Sequence, residues 1–185
     1  SLGFEWIEVG HGFGLGAMEA GKGDMPASDV DLLRAAKATC GGAKIGMFYI
    51  PGIGRMDQLE AARDAGLDFF LFGDNAPEVE NTYPHITRAR GLGLIPCVNM
   101  MKTYAVSPRE FAMKAKGAIE AGAEIVYCVD SAGSMLPEDV ARYFDATREV
   151  VDCKLGFHGH NNLMMAIANC IAAYRHGARY LDATL

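Results

Sequence analysis

A short motif recurs along the whole chain and constrains its fold more than any other feature. In each copy a glycine is followed by one or two small or polar residues and then by four to six apolar ones. Near-continuous apolar strands of this kind are typical of a parallel sheet that is covered on both faces. The copies begin at Gly3, Gly42, Gly66, Gly93, Gly122 and Gly177, and the stretch from Lys154 to His160 belongs to the set without the leading glycine.

The segments between these strands have the periodicity of amphipathic helices. Ser28 is a candidate N-cap of one helix, and Ser107-Pro108-Arg109-Glu110 reads as the N-cap, N1 proline and first-turn acid of another. Seven strands that alternate with six helices predict the α/β class with a parallel sheet, either closed or open. The predicted helices cover residues 29–38, 56–65, 79–90, 107–121, 136–150 and 163–176.

The number and regularity of these units favour a barrel. A closed (β/α)₈ TIM barrel has eight strands and typically about 250 residues. Seven regular units of similar length suit a barrel that lacks one strand better than a Rossmann-like sheet. We therefore predict a single, incomplete TIM-barrel domain over residues 1–185. Because the chain starts at Ser1 without a methionine and enters a strand almost at once, we expect it to be a fragment.

Composition excludes several classes of partner. The chain has a net charge of -6, and its lysines and arginines are scattered, which argues against nucleic acid or an anionic membrane surface. No apolar run approaches the ~20 residues of a membrane span. The five cysteines are odd in number and contain no CxxC pair, so we interpret them as reduced core residues of a cytoplasmic protein.

Polar residues gather where the predicted strands end, which is where sites form in α/β folds. In His158-Gly159-His160 the two side chains are two positions apart on a strand and point to the same face, so both imidazoles can hold one cation. Two ligands are only part of a metal site, and a third must come from elsewhere. The polar strand ends are Glu8, His11, Asp74, Asn75, Asn99, Asp130, Ser131, His158, His160, Asp182 and Thr184.

Other motifs carry weaker signals. His11 to Ala17 contains a G-x-G-x-x-A match, but no clear helix follows, so a flexible loop is a better interpretation than a dinucleotide site. Pro51-Gly52-Ile53-Gly54 predicts a turn into a helix, whose amides could face an anion. His85 and His176 lie within or at the end of predicted helices, and we expect both on the surface.

Several of these stretches together resemble a known family. Ile7-Glu8-Val9-Gly10-His11-Gly12, Pro51-Gly52-Ile53-Gly54, Val129-Asp130-Ser131-Ala132-Gly133, His158-Gly159-His160-Asn161-Asn162-Leu163 with Ala168-Asn169, and Leu181-Asp182-Ala183-Thr184-Leu185 occur in order along nearly the whole chain. They resemble the 4-hydroxy-2-oxovalerate aldolases, a branch of the HMG-CoA lyase-like superfamily of metal-dependent TIM-barrel enzymes.

The resemblance implies roles for individual residues. It makes His158 and His160 metal ligands and places Ser131, His11 and Asn162 at the substrate. The family's third ligand is the aspartate of an Arg-Asp-Gly motif on the first barrel strand, and the arginine and a nearby histidine act on the substrate. No Arg-Asp-Gly occurs in these 185 residues. The resemblance therefore implies that the catalytic base and arginine precede Ser1, and that a C-terminal helical domain follows Leu185.

The implied activity is cleavage of a 4-hydroxy-2-oxo acid to pyruvate and an aldehyde, in the breakdown of aromatic compounds. The implied cofactor is a divalent metal, Mn²⁺ first, with Mg²⁺, Co²⁺ or Zn²⁺ as alternatives. A Claisen-type lyase or synthase acting on acyl-CoA, like HMG-CoA lyase or the isopropylmalate and homocitrate synthases, is the second interpretation. An inactive barrel fragment is the third, and we expect this chain alone to be impaired.

The implied partners are a small 2-oxo acid and an acylating aldehyde dehydrogenase that takes up the aldehyde. A further partner follows from the incomplete barrel. The loss of one strand leaves unpaired sheet edges at the Trp6 and Tyr180 strands, and such edges invite pairing with another chain, so a homo-oligomer is also expected.

Overall fold

A computed structural model describes residues 3–184 and contains one seven-stranded parallel sheet. Strand order in the sheet follows strand order in the sequence, and every neighbouring pair is parallel. This topology confirms the predicted incomplete TIM barrel. The strands are β1 (Trp6–Glu8), β2 (Lys44–Tyr49), β3 (Phe69–Asn75), β4 (Ile95–Met101), β5 (Ile125–Asp130), β6 (Lys154–Gly159) and β7 (Ala178–Leu181).

Six α-helices connect the strands, as the periodicity predicts. Two of the predicted N-caps are present: Ser28 accepts a hydrogen bond from the Asp31 amide, and Ser107 forms a capping box with Glu110. No helix in the described part of the chain is long and apolar enough to cross a membrane. The helices are α1 (Asp29–Thr39), α2 (Gln58–Asp64), α3 (Tyr83–Gly91), α4 (Pro108–Glu120), α5 (Pro137–Val150) and α6 (Ala166–Arg175), with short 3₁₀ helices at Ala76–Thr82 and Thr103–Ala105.

Two predicted helix boundaries are wrong. The helix predicted over residues 79–90 is a 3₁₀ turn followed by α3, because Pro84 lies in the first turn of α3 and has no amide to continue a longer ladder. The last helix begins three residues later than predicted: Met164 adopts a left-handed conformation, and the Asn161 side chain accepts a hydrogen bond from the Ala166 amide. Leu185, the last residue of the predicted final strand, lies outside the described residues.

The sheet has two apolar faces. Its outer face packs under the helices and forms the larger core, while its inner face lines the barrel lumen. In the lumen the Trp6 ring lies 4.8 Å from the Phe69 ring and 5.5 Å from the Tyr180 ring, measured between centroids. Strands β1 and β7 therefore approach each other across a curled sheet. Among residues 3–184 no ladder of hydrogen bonds joins them, so the barrel is open along this seam.

Aromatic rings fill the lumen by lying over glycines on neighbouring strands. A Cβ atom added at Gly46 would lie 2.1 Å from the Phe69 ring, and one at Gly156 would lie 2.5 Å from the Tyr127 ring. A Cβ at Gly73 would meet the Phe48 ring at 2.2 Å. These glycines are therefore required for packing, and they let large rings fill the space in which the sheet curls.

Replacing Gly156 by alanine should destabilise the fold. The added methyl group would overlap the Tyr127 ring, and overpacking of a core costs about 1–3 kcal/mol. Urea unfolding followed by circular dichroism would measure the change. Gly91→Ala is the matched control, because nothing lies within 4 Å of a Cβ at this position at the end of α3. Equal unfolding midpoints for Gly156→Ala and the unmodified chain would refute the packing argument.

Candidate active site

The histidine pair lies at the carboxyl end of β6, in the mouth of the barrel. Leu155 and Phe157 belong to the outer core, so the alternation of the strand turns His158 toward the lumen. The rings of His158 and His160 lie 5.2 Å apart between centroids and are inclined by 57°. The two side chains are thus neighbours, as their spacing predicts.

Asp182 holds the first of these imidazoles in place. Nδ1 of His158 lies 2.8 Å from Oδ2 of Asp182, which follows β7 in the mouth. The carboxylate accepts the Nδ1 proton, which leaves Nε2 of the neutral ring as the free nitrogen. This hydrogen bond raises the pKa of His158, and burial opposes it. Asp182 stands out in the sequence only as a polar strand end; the pairing of Phe157 with Leu181 places it beside His158.

Glu8, at the end of β1, adds a second carboxylate to this side of the mouth. Glu8 is exposed to solvent at the open seam. The surrounding protein nevertheless buries its carboxyl group enough to raise the pKa of Glu8. The charge of Asp182 raises this pKa further, and that of His158 lowers it. Negative charge is therefore concentrated around the His158 side chain, where it favours a cation.

Ser131 lies next to the histidine pair, at the end of β5. The His160 amide donates to the carbonyl oxygen of Asp130 at 3.2 Å, which brings the ends of β5 and β6 together. Ser131 Oγ accepts a hydrogen bond of 2.9 Å from the Lys102 amide. This bond leaves the hydroxyl proton of Ser131 available for a ligand in the mouth. The Asp130 side chain is fully buried and accepts hydrogen bonds from the backbone amides of Ser134 and Met135. Its role is therefore structural.

The other two residues predicted at the substrate are less closely placed. His11 accepts a hydrogen bond from the Phe13 amide through Nδ1 and stacks on the Phe13 ring. Over residues 3–184 no hydrogen bond or ring contact joins His11 to the histidine pair. Asn162 is exposed in the loop after β6, where its backbone packs closely against Gly133.

The loop that contains the G-x-G-x-x-A match is anchored, which corrects the expectation of a flexible loop. The Leu15 amide donates to the Phe48 carbonyl at 2.9 Å, and the Gly16 amide donates to Asp29 at 2.8 Å. Gly14 has a φ of 80°, and a Cβ there would lie 2.3 Å from the Phe48 oxygen. Gly14 thus serves close packing on β2.

The expected surface position of His85 is also wrong. His85 is half-buried, and its Nδ1 lies 2.8 Å from the Tyr49 hydroxyl, which also donates to the Gly54 carbonyl. Burial raises the pKa of Tyr49 and lowers that of His85. A fully buried hydroxyl needs partners, and this need draws His85 inward. The Pro51–Gly54 segment is the predicted turn and is fixed by this pair.

The described residues fit part of a metal site. No group of three His, Cys, Asp or Glu side chains able to hold an ion occurs between residues 3 and 184. His158 and His160 nonetheless present two imidazoles on one face, with the tautomer of His158 fixed and carboxylates nearby. These features suit a divalent ion that takes two nitrogen ligands here and oxygen ligands from elsewhere.

A curled parallel sheet with paired imidazoles at the carboxyl ends of its strands defines a TIM-barrel protein with a candidate metal site at the mouth. Comparison with known proteins names the group: residues 3–185 match the HMGL-like family model, and the chain belongs to that family.

Curated relatives cover the chain almost completely. It is 39% identical to an oxaloacetate decarboxylase of Mycobacterium tuberculosis, over 100% of the chain and 54% of that protein. It is 39% identical to a 4-hydroxy-2-oxovalerate aldolase of Geobacillus genomosp. 3, over 96% of the chain and 53% of that protein. The chain therefore spans about half the length of these relatives.

Solved structures share the fold. The carboxyl transferase domain of Rhizobium etli pyruvate carboxylase superposes with a TM-score of 0.77 at 19% identity, over 85% of the chain and 29% of that one. The N-terminal domain of a putative aldolase from Bacteroides vulgatus gives a TM-score of 0.73 at 20% identity, over 88% of the chain and 58% of that one. At these identities the likeness concerns the fold alone.

Proposed function

We propose that the chain forms the metal-binding part of a carbon–carbon lyase that cleaves a 4-hydroxy-2-oxo acid, such as 4-hydroxy-2-oxovalerate, to pyruvate and an aldehyde. The observation that carries this proposal is the pair His158 and His160, with His158 held by Asp182, at the mouth of an HMGL-like barrel. Relatives at 36–39% identity that are named 4-hydroxy-2-oxovalerate aldolase support it.

The described residues would bind and orient the 2-oxo acid. A divalent metal held by His158 and His160 would supply a Lewis acid at the 2-oxo group. Ser131 can donate its hydroxyl proton to a substrate oxygen, because its oxygen already accepts from Lys102. In the cleavage the C3–C4 bond breaks, its electron pair moves to C3 as an enolate, and a base takes the proton of the 4-hydroxyl. We propose that the base and the arginine come from outside the described residues.

The metal that we propose is Mn²⁺, because imidazole and oxygen ligands together suit it, with Mg²⁺, Co²⁺ and Zn²⁺ as alternatives. We also propose an acylating aldehyde dehydrogenase as partner, a role in the breakdown of aromatic compounds and self-association along the open β1 and β7 edges. A cytoplasmic location is supported by five cysteines that are all free thiols.

Decarboxylation of a 2-oxo diacid is a second candidate function. The relative from Mycobacterium tuberculosis at 39% identity is named oxaloacetate decarboxylase. The two reactions share their first product: in both, the C3–C4 bond breaks and leaves the enolate of pyruvate, which is protonated at C3. They differ in the departing group, which is an aldehyde in one and carbon dioxide in the other. Recognition of the C4 group therefore decides between them.

Release of pyruvate tests the proposed function. A complete barrel that contains these residues should release pyruvate from 4-hydroxy-2-oxovalerate, lose activity with EDTA and regain it with Mn²⁺. Lactate dehydrogenase and NADH would report the pyruvate. The 185-residue chain alone should be far slower, because no group of three His, Cys, Asp or Glu side chains able to hold an ion occurs among its described residues. Turnover that EDTA leaves unchanged would contradict metal dependence, and near-native turnover by the chain alone would contradict its expected impairment.

A further inference from the structure

Lys102 occupies an unusual backbone conformation at the mouth of the barrel. It follows the last residue of β4 and has a φ of 52°. Among the described residues only Lys102 and Met164 combine a side chain with a positive φ. A Cβ atom makes this region unfavourable, and glycine is its usual occupant. The conformation therefore calls for an explanation in the surroundings of the residue.

Hydrogen bonds on both sides fix this corner. The Lys102 amide donates to Ser131 Oγ at 2.9 Å, and the Lys102 carbonyl accepts the Ala105 amide at 2.8 Å. The next residue, Thr103, is fully buried; its hydroxyl donates to the Met100 carbonyl and accepts the Val129 amide. The backbone at Lys102 is thus set by both neighbouring strands. Strained residues held in this way cluster at functional sites.

The side chain of Lys102 carries an unpaired positive charge. It is exposed, and no carboxylate of residues 3–184 forms an ion pair with it, whereas Lys114 on α4 pairs with Glu80. The carboxylates of the mouth, Glu8 and Asp182, lie at the ends of β1 and β7 beside His158. Lys102 follows β4 at the same end of the sheet, so its backbone and these two carboxylates lie on different sides of the mouth.

The strand order sets the separation between these two sides. The Lys102 backbone contacts Ser131 after β5, and the end of β5 contacts His160 after β6. Two strand spacings amount to about 10 Å. The flexible four-carbon stem of lysine can shorten this gap. A small acid bound at the histidines through one end can therefore meet the ammonium group with its other end.

We infer that Lys102 is a specificity-determining residue that binds a second carboxylate of the substrate, located beyond C3 of the 2-oxo acid. This inference rests on the proposed function. It narrows the substrate class to diacids, either a 2-oxo diacid that loses carbon dioxide or a 4-hydroxy-2-oxo acid with a carboxylate on its aldehyde half.

Binding of two unreactive acids tests this inference in a complete barrel that contains these residues. L-malate and L-lactate both carry a 2-hydroxy acid group, and only malate has the second carboxylate. Calorimetric titration with Mn²⁺ present should show malate binding up to about fivefold tighter than lactate, the size of effect that an accessible ion pair produces. Lys102→Met should abolish this preference without weakening lactate, and Lys102→Arg should retain it. Lys116→Met, on the exposed face of α4, is the control for loss of a lysine charge.

The possible results distinguish the role of Lys102 from the proposed function. Equal affinities of the wild-type barrel for both acids, or a malate preference that survives in Lys102→Met, would overturn the role of Lys102 and leave the proposed function standing. If the complete wild-type barrel bound neither acid, the proposed function would fail and the inference with it. Circular dichroism of each variant would show that the fold is retained.

Discussion

Replacing His158 by alanine should remove specific binding of a divalent metal to the chain. The variant loses an imidazole that faces the mouth and leaves His160 as the only imidazole of the pair, with the Asp182 carboxylate unpaired. Loss of a residue that hydrogen-bonds to a metal ligand weakens metal affinity by about 10–100-fold. Loss of the ligand itself should weaken metal affinity more. Calorimetric titration with Mn²⁺ would measure the affinity of both proteins.

His176→Ala is the matched control for this variant. His176, at the end of α6, also bonds a carboxylate through Nδ1, at 2.7 Å from Asp145, but it precedes β7 and so lies away from the mouth. Its removal should leave Mn²⁺ binding unchanged. If His158→Ala and His176→Ala bound Mn²⁺ equally well, the metal would not be held by the histidine pair.

Replacing Asp182 by asparagine should weaken metal binding by about 10–100-fold. This is the usual effect of replacing a residue that hydrogen-bonds to a metal-bound histidine. Asparagine keeps the shape of the side chain and can still accept the Nδ1 proton of His158. It removes the negative charge that makes the imidazole a better ligand and that favours a cation in the mouth. The same Mn²⁺ titration would measure this effect.

The Asp145→Asn variant removes the corresponding charge from the His176 pair and should bind metal normally. Asp182→Ala should be weaker than Asp182→Asn, because it also loses the hydrogen bond that orients His158. Unchanged affinity in both Asp182 variants would mean that the ring of His158 is positioned by packing alone.

The fold could be predicted from the sequence because its strongest signals are local. Apolar runs separated by amphipathic segments specify strands and helices in alternation, and only a parallel sheet accommodates many such units. The errors arise where a side chain or backbone geometry overrides periodicity. Pro84 interrupts the helix predicted over residues 79–90, and the left-handed Met164 delays the start of α6.

The site could be predicted only in part. The spacing of His158 and His160 shows that the imidazoles share a face, since that follows from strand geometry. Asp182 and Glu8 appear in the sequence as polar strand ends. The hydrogen bond between His158 and Asp182, and the electrostatic interaction of Glu8 with both, depend on how β7 and β1 curl toward each other. The role that we propose for Lys102 rests on a backbone angle and on the absence of an ion pair among the described residues, and the sequence shows neither of these.

The most direct test of the account is a count of the nitrogen ligands of the bound metal. Pulsed electron paramagnetic resonance on the Mn²⁺-loaded chain with pyruvate detects imidazole nitrogens coordinated to the ion. We expect couplings from two imidazoles in the wild-type chain. His158→Ala and His160→Ala should each lose the coupling from one imidazole. A wild-type spectrum without nitrogen coupling, or one that neither substitution changes, would contradict a metal centre at this pair.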